Sequence, residues 1–159
     1  MNMVLRAATD EDYEVVCTLY DQLEQIHAQA LPHFFRTVEG HARPHKWFAD
    51  ILANEDAALF VAEQQGIIVG MVHCYVRITP GLPMIVPRRF VHVEDLVVSE
   101  PVRHQGVGQL LTERVNQWSL EKGIREIELD VWEFPTSALA FYEKLGYETT
   151  RRHMRKLLP

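Results

Sequence analysis

Two groups of residues in this sequence have types and spacings suited to chemistry. The first is Arg103-His104-Gln105-Gly106-Val107-Gly108, which follows the apolar run Phe90 to Val98 and opens the helical spacing of Leu110, Leu111 and Val115. A strand that enters a glycine-containing turn and then a helix can hold an anion. The first N–H groups of the helix have no intrahelical partner, and the macrodipole places partial positive charge there. Glycines admit a bulky phosphate to the backbone, and an arginine adds a full charge. The second group is His92, Glu94 and Asp95 in the run itself. In an unbroken strand His92 and Glu94 share a face and Asp95 points the other way, unless a bulge intervenes. An imidazole titrates near pH 7 and suits proton transfer. The bland alternatives are a satisfied core imidazole at His92 and an ordinary ion pair at Glu94.

The elements that position these groups follow from period and punctuation. Val4 to Ala8 suits a short strand, and Thr9 an N-cap with Asp10, Glu11 and Asp12 in the first turn. Val15, Val16, Leu19, Tyr20, Leu23 and Ile26 recur at helical spacing, and the helix ends before Pro32. A second helix is expected over Pro44 to Asn54. Strands are expected at Ala57 to Glu63 and Ile67 to Ile78, around the turn Gln64-Gln65-Gly66. The central strand, Phe90 to Val98, is followed by the turn residues Ser99, Glu100 and Pro101. The helix from Val107 stops at Gly123, and Ile124 to Trp132 alternates as a half-buried strand. Ala138, Phe141, Tyr142 and Leu145 share one face of a short helix ended by Gly146. Tyr147 to Leu158 reads as a last strand, with Arg151, Arg152, Arg155 and Lys156 on its solvated face or edge.

Which anion the turn takes is narrowed by what is missing. No Gly-Lys-Ser/Thr follows, so it is not a P-loop, and a dinucleotide fingerprint would need glycine at Leu111. Arg103-x-x-Gly106-x-Gly108 resembles the signature of the GNAT superfamily of N-acetyltransferases, where it holds the pyrophosphate of acetyl-coenzyme A. Ala138-x-x-Phe141-Tyr142-x-Lys144-x-Gly146-Tyr147 resembles the family's other motif, and the two stand in the family's order. Pro135 stands where the family often has an asparagine that contacts the pantetheine arm, which puts that contact in doubt. Proline at a first helical position leaves the helix itself unharmed.

The resemblance implies an α/β fold of GNAT type, in one domain over residues 1–159. It has a mixed, mostly antiparallel sheet of six or seven strands flanked by about four helices. It implies acetyl transfer from acetyl-CoA to a primary amine of a small molecule or peptide, by direct attack in a ternary complex. Arg103, His104, Gln105, Gly106, Val107, Gly108 and Gln109 would cradle the pyrophosphate, and Ala138, Phe141, Tyr142 and Lys144 would line the cofactor from the second motif. The main chain of Leu96, Val97 and Val98 would pair with the pantetheine amides, and one amide, that of Leu96, would polarise the thioester carbonyl. His92, Glu94 or both would take the proton from the amine, and Tyr142 would protonate the leaving thiolate. Phe34 and Phe35, with Glu94 and Trp132, would face the acceptor, although the two phenylalanines could equally pack on the sheet. Glu94, Asp95 and Glu133 near the cleft would suit a cationic amine. Homodimers are common in the family, but the sequence names no interface.

Composition bounds the alternatives. Of 159 residues, 47% are hydrophobic and 24% charged, as in soluble single domains. A net charge of −6 opposes sequence-independent nucleic-acid binding. No run approaches the roughly 20 apolar residues of a membrane span, and no signal-peptide pattern opens the chain, so a cytoplasmic location is expected. Cys17 and Cys74 suit two reduced, buried thiols, and direct attack needs no cysteine nucleophile. His41 and His45 would share a helical face, but Pro44 interrupts it, so no metal is expected. The competing function is a catalytically silent acyl-CoA-binding or sensing module, toward which Pro135 alone leans.

Overall fold

Runs of period two make the strands of this protein, and 3.6-residue spacing makes its helices. In this computed structural model, which describes residues 3–135 and 137–158, the strands are β1 (Met3–Ala7), β2 (Ala57–Gln64), β3 (Ile67–Ile78), β4 (Arg89–Val98) and β5 (Ile127–Leu129). The helices are α1 (Tyr13–Ala30), α2 (His45–Ala53), α3 (Val107–Glu121) and α4 (Leu139–Lys144). The sheet runs in the order β1-β2-β3-β4-β5, and every pairing is antiparallel except that of β4 with β5. A parallel pair needs a long crossover, and α3 supplies it. None of the helices among the described residues is long and apolar enough to cross a membrane.

The alternation of β2 and β3 divides the core. Phe60, Ala62, Val72 and Cys74 pack with Val107, Leu111, Val115 and Trp118 of α3. Leu59, Val61 and Met71 pack on the other face with Val16, Leu19 and Tyr20 of α1 and Phe48 and Ile51 of α2. Gly70 lies under α3. A Cβ there would stand 3.0 Å from the Val97 carbonyl oxygen and 3.2 Å from side-chain carbons of Leu111 and Val107. Two of these neighbours are core side chains and one is backbone, so none can yield freely. Gly70→Val is therefore expected to cost about 1–3 kcal/mol, seen as a lower urea midpoint with an unchanged m-value.

The N-terminal turn is capped at Thr9 as expected, with Asp10, Glu11 and Asp12 in its first turn. Asp10–Asp12 form a 3-10 turn before α1, and Asp12 is buried. It takes two hydrogen bonds from the Arg6 guanidinium, at 2.7 and 2.9 Å, and one from the Thr9 amide at 2.7 Å. The bonds from Arg6 hold its carboxyl below the usual range.

Five strands are present among the described residues, where six or seven were expected. β5 is shorter than the expected Ile124 to Trp132. It matches β4 only over Val91–Ile127, His92–Glu128 and Val93–Leu129. The expected last strand is not formed: residues 148–158 are exposed and without regular structure. The other elements begin and end within a residue or two of expectation. In the second motif Thr136 lies outside the described residues.

Candidate active site

The site begins where β4 and β5 part. Their ladder stops at Val93–Leu129, so the main chain of Glu94 to Val98 faces the gap on that side. β4 changes course at the same point. Val93 stands opposite Cys74 and Asp95 opposite His73, which leaves Glu94 as an extra residue in a β-bulge. The bulge reverses the alternation. Val91 and Val93 face α3, whereas Val97 packs with α1 and α2. Asp95 consequently shares the α1/α2 side with His92 rather than pointing away from it. The bulge that the sequence left open is present.

This face carries a cluster of polar side chains. His92 Nε2 lies 3.5 Å from Glu94 Oε2, and the Tyr75 hydroxyl donates to the same carboxylate oxygen at 2.9 Å. Burial lowers the pKa of His92 despite the nearby charge of Glu94, so the ring is neutral at pH 7. Burial pushes the Asp95 carboxyl up to about 6, against the pull of Arg43. His73 is pushed down to about 4 by burial, and its buried Nδ1 has no hydrogen-bond partner. The hydroxyl of Tyr20 is likewise buried without a bond of ordinary geometry, with the Asp95 carboxyl in its surroundings. The guanidinium of Arg43 lies 3.7 Å from the centre of the Tyr20 ring and is bonded to Glu24. Sequence reasoning had no role for Tyr75, His73, Tyr20 or Arg43. His73 and Tyr75 stand at alternate positions of one strand, and that period is the signal that could have found them.

The turn expected to cradle an anion lies beyond the carboxyl end of β4. His104 and Gly106 both have positive φ, at 62° and 87°, and Gly106 caps α3 without a side-chain hydrogen bond. The first amides of α3 are thus left to a ligand or to water. Arg103 Nε donates to the Val98 carbonyl at 3.0 Å, which fixes its guanidinium beside the strand end. Gln105 bonds the Pro101 carbonyl at 3.3 Å, and Gln109 bonds Glu113 at 2.9 Å. The side chains of Val97 and Val107 are core, so these two can meet a ligand only through their backbone. Gly108 stands under α4. A Cβ there would lie 3.2 Å from the Phe141 ring and 3.7 Å from Leu96, so glycine is what lets the second motif approach the turn of the first.

In α4 the residue before the first turn is Ala138, Lys144 is exposed in the last turn, and Tyr142 is the buried residue. The Tyr142 ring contacts Phe141 and Tyr147 at 5.1 and 5.5 Å, edge to face. Burial raises its pKa well above that of a free phenol, which keeps it protonated. Phe34 and Phe35 meet the Trp132 ring at 5.0 and 5.2 Å, and Phe35 stacks on His27 at 4.9 Å. These rings form a wall between the loop after α1 and the segment after β5. No group of His, Cys, Asp and Glu able to hold a metal ion occurs among the described residues.

Comparison with known proteins agrees with this architecture. A family model described as the acetyltransferase (GNAT) family matches residues 4–147. An N-alpha-acetyltransferase from Sulfurisphaera tokodaii is 30% identical over 138 residues, 82% of this chain and 75% of that protein. An L-ornithine N5-acetyltransferase from Arabidopsis thaliana is 29% identical over 72 residues, 45% of this chain, which spans 32% of the plant protein's length. Among solved structures, a tetramutant of the BH1408 protein from Bacillus halodurans superposes with a TM-score of 0.91 at 28% identity, covering 98% of this chain and 99% of that one.

Proposed function

Since the chain belongs to the acetyltransferase (GNAT) family, we propose that it is an N-acetyltransferase that moves the acetyl group of acetyl-CoA to a primary amine. One observation carries this reading: β4 leaves β5 after Val93, and Leu96 in the freed stretch lies against Gly108 in the first turn of α3, which has no side-chain cap. A thioester arm laid in that gap would find main-chain partners along Leu96 to Val98, and its pyrophosphate would meet the amides that follow Gly106.

The chemistry then falls to the side chains around the gap. An alkyl amine is protonated at neutral pH and must lose a proton before it can attack. His92 is neutral and Glu94 lies beside it, so the pair can take that proton. Tyr75 holds the Glu94 carboxylate in place. As the C–N bond forms, charge develops on the carbonyl oxygen, and the Leu96 amide would stabilise it. As the C–S bond breaks, Tyr142 gives its proton to the sulfur. The amine proton leaves through His92 and Glu94, and the products are an amide and a thiol. The same desolvation that raises Tyr142 also raises the proton affinity of a thiolate buried beside it.

Calorimetric titration with acetyl-CoA, followed by thiol release against a panel of amines, tests the reading. Saturable coenzyme binding with amine-dependent thiol release is expected. Coenzyme binding with no release from any amine would favour the silent binding module, and no binding would overturn both readings.

A further inference from the structure

We propose that the acceptor carries a second cationic group, and that Arg151 and Arg155 rest in the free protein on the surface that receives it. This inference rests on the transferase reading above.

The surface lies just past β5. Trp132 and Phe34 are both large rings left in contact with solvent, at 43% and 49% exposure, and they tilt against each other at 5.0 Å. An exposed aromatic face attracts a cation through its quadrupole. One is already there. The guanidinium of Arg155 lies 4.5 Å from the centre of the Phe34 ring. Two residues before Trp132, Asp130 holds Arg151 at 3.6 Å. Asp130 follows Leu129, the last residue of β5 to pair with β4, as Glu94 follows its partner Val93, so the two carboxylates stand at the same point of the sheet. Aromatic face and carboxylate therefore lie on one path leading out from Glu94.

The arginines are lightly held. Residues 148–158 have no regular structure and are exposed throughout, and the Asp130–Arg151 pair is 71% and 84% exposed at its two side chains. Ion pairs this exposed contribute little and exchange readily. A ligand with the same charge can displace them. Glu94 follows the last paired residue of β4, and Trp132 is three residues beyond the last paired residue of β5. A linear diamine with a flexible methylene chain can therefore present one amine at Glu94 and the other toward the rings.

Hexane-1,6-diamine and hexylamine differ only in the second cation, so they isolate the effect. The diamine is expected to show a KM about tenfold lower, beyond the factor of two that its two amines supply. The advantage should shrink as salt is added. The Arg151→Gln/Arg155→Gln double variant should lower the diamine KM several-fold and leave that of hexylamine unchanged. Calorimetry of the two amines on protein saturated with coenzyme A reads the same preference without turnover. Equal affinity for the two amines, or a double variant that leaves their ratio unchanged, would overturn the proposal. An active enzyme with no diamine preference sinks this inference alone, whereas failure to bind coenzyme or release thiol sinks the transferase reading.

Discussion

Tyr142→Phe is expected to lower kcat by about 10²–10⁴-fold, the range for loss of a positioned general acid, while coenzyme affinity stays within about twofold. Only the hydroxyl is removed. The ring keeps its edge-to-face contacts with Phe141 and Tyr147, so α4 and its approach to Gly108 are preserved. Stopped-flow thiol release at saturating acetyl-CoA separates the two quantities. The pH profile adds a check, because burial holds the Tyr142 proton well above the ordinary phenol range. A wild-type rate that falls between pH 8 and 9 from loss of this proton would contradict the assignment. So would a variant that loses coenzyme binding and rate together, since that would make the phenol a structural group.

Asp95→Asn is expected to stabilise the protein at pH 7.5 and to have almost no effect at pH 3. Burial raises the Asp95 carboxyl from 3.8 to about 6. Below pH 3.8 the group is protonated in both folded and unfolded chains, and the folded state bears no penalty. As pH rises to about 6 the unfolded chain ionises first, and stability is lost across that window. At 1.36 kcal/mol per unit, the full loss is about 3 kcal/mol. Asparagine has the same shape and never bears the charge. Its Tm at pH 7.5 should be higher by about 6–12 °C at the 2–4 °C per kcal/mol typical of this chain length, with the two curves meeting near pH 3. A half-buried acid kept at such a cost, opposite His73 with its unpartnered Nδ1, is what a site rather than a core would retain. Equal melting curves at pH 7.5 would show that the Asp95 charge is solvated after all.

Most of the scaffold was legible because its signals are local. Period, caps and turns located four helices and four of the five strands nearly to the residue, and the glycines of the first motif marked the α3 N-terminus. The misses all arise where two strands must agree. A strand's length depends on its partner, so the alternation of Ile124 to Trp132 promised nine residues and the parting of β4 from β5 allowed three. The bulge at Glu94 has the same origin. It is a mismatch in register with β3, and no property of His92 to Asp95 alone sets it. Residues 148–158 are mostly polar, and among the described residues no neighbouring strand receives them. For the site, types and spacing pointed to His92, Glu94 and Tyr142, while the supporting groups came from elements distant in sequence. Tyr75 reaches Glu94 across a hairpin, and Arg43 reaches Tyr20 from a loop without period.

The two cysteines have a practical consequence for any assay of this protein. Cys17 and Cys74 are each 1% exposed or less, and burial raises both thiols, Cys74 to about 12. Thiolate is the reactive form, and it is scarce here at assay pH. A disulfide reagent added to the folded protein will therefore record coenzyme release against a silent background. On denaturation both sulfurs become accessible together, so the same reagent gives a built-in gauge of the unfolded fraction, with a stoichiometry of two per chain.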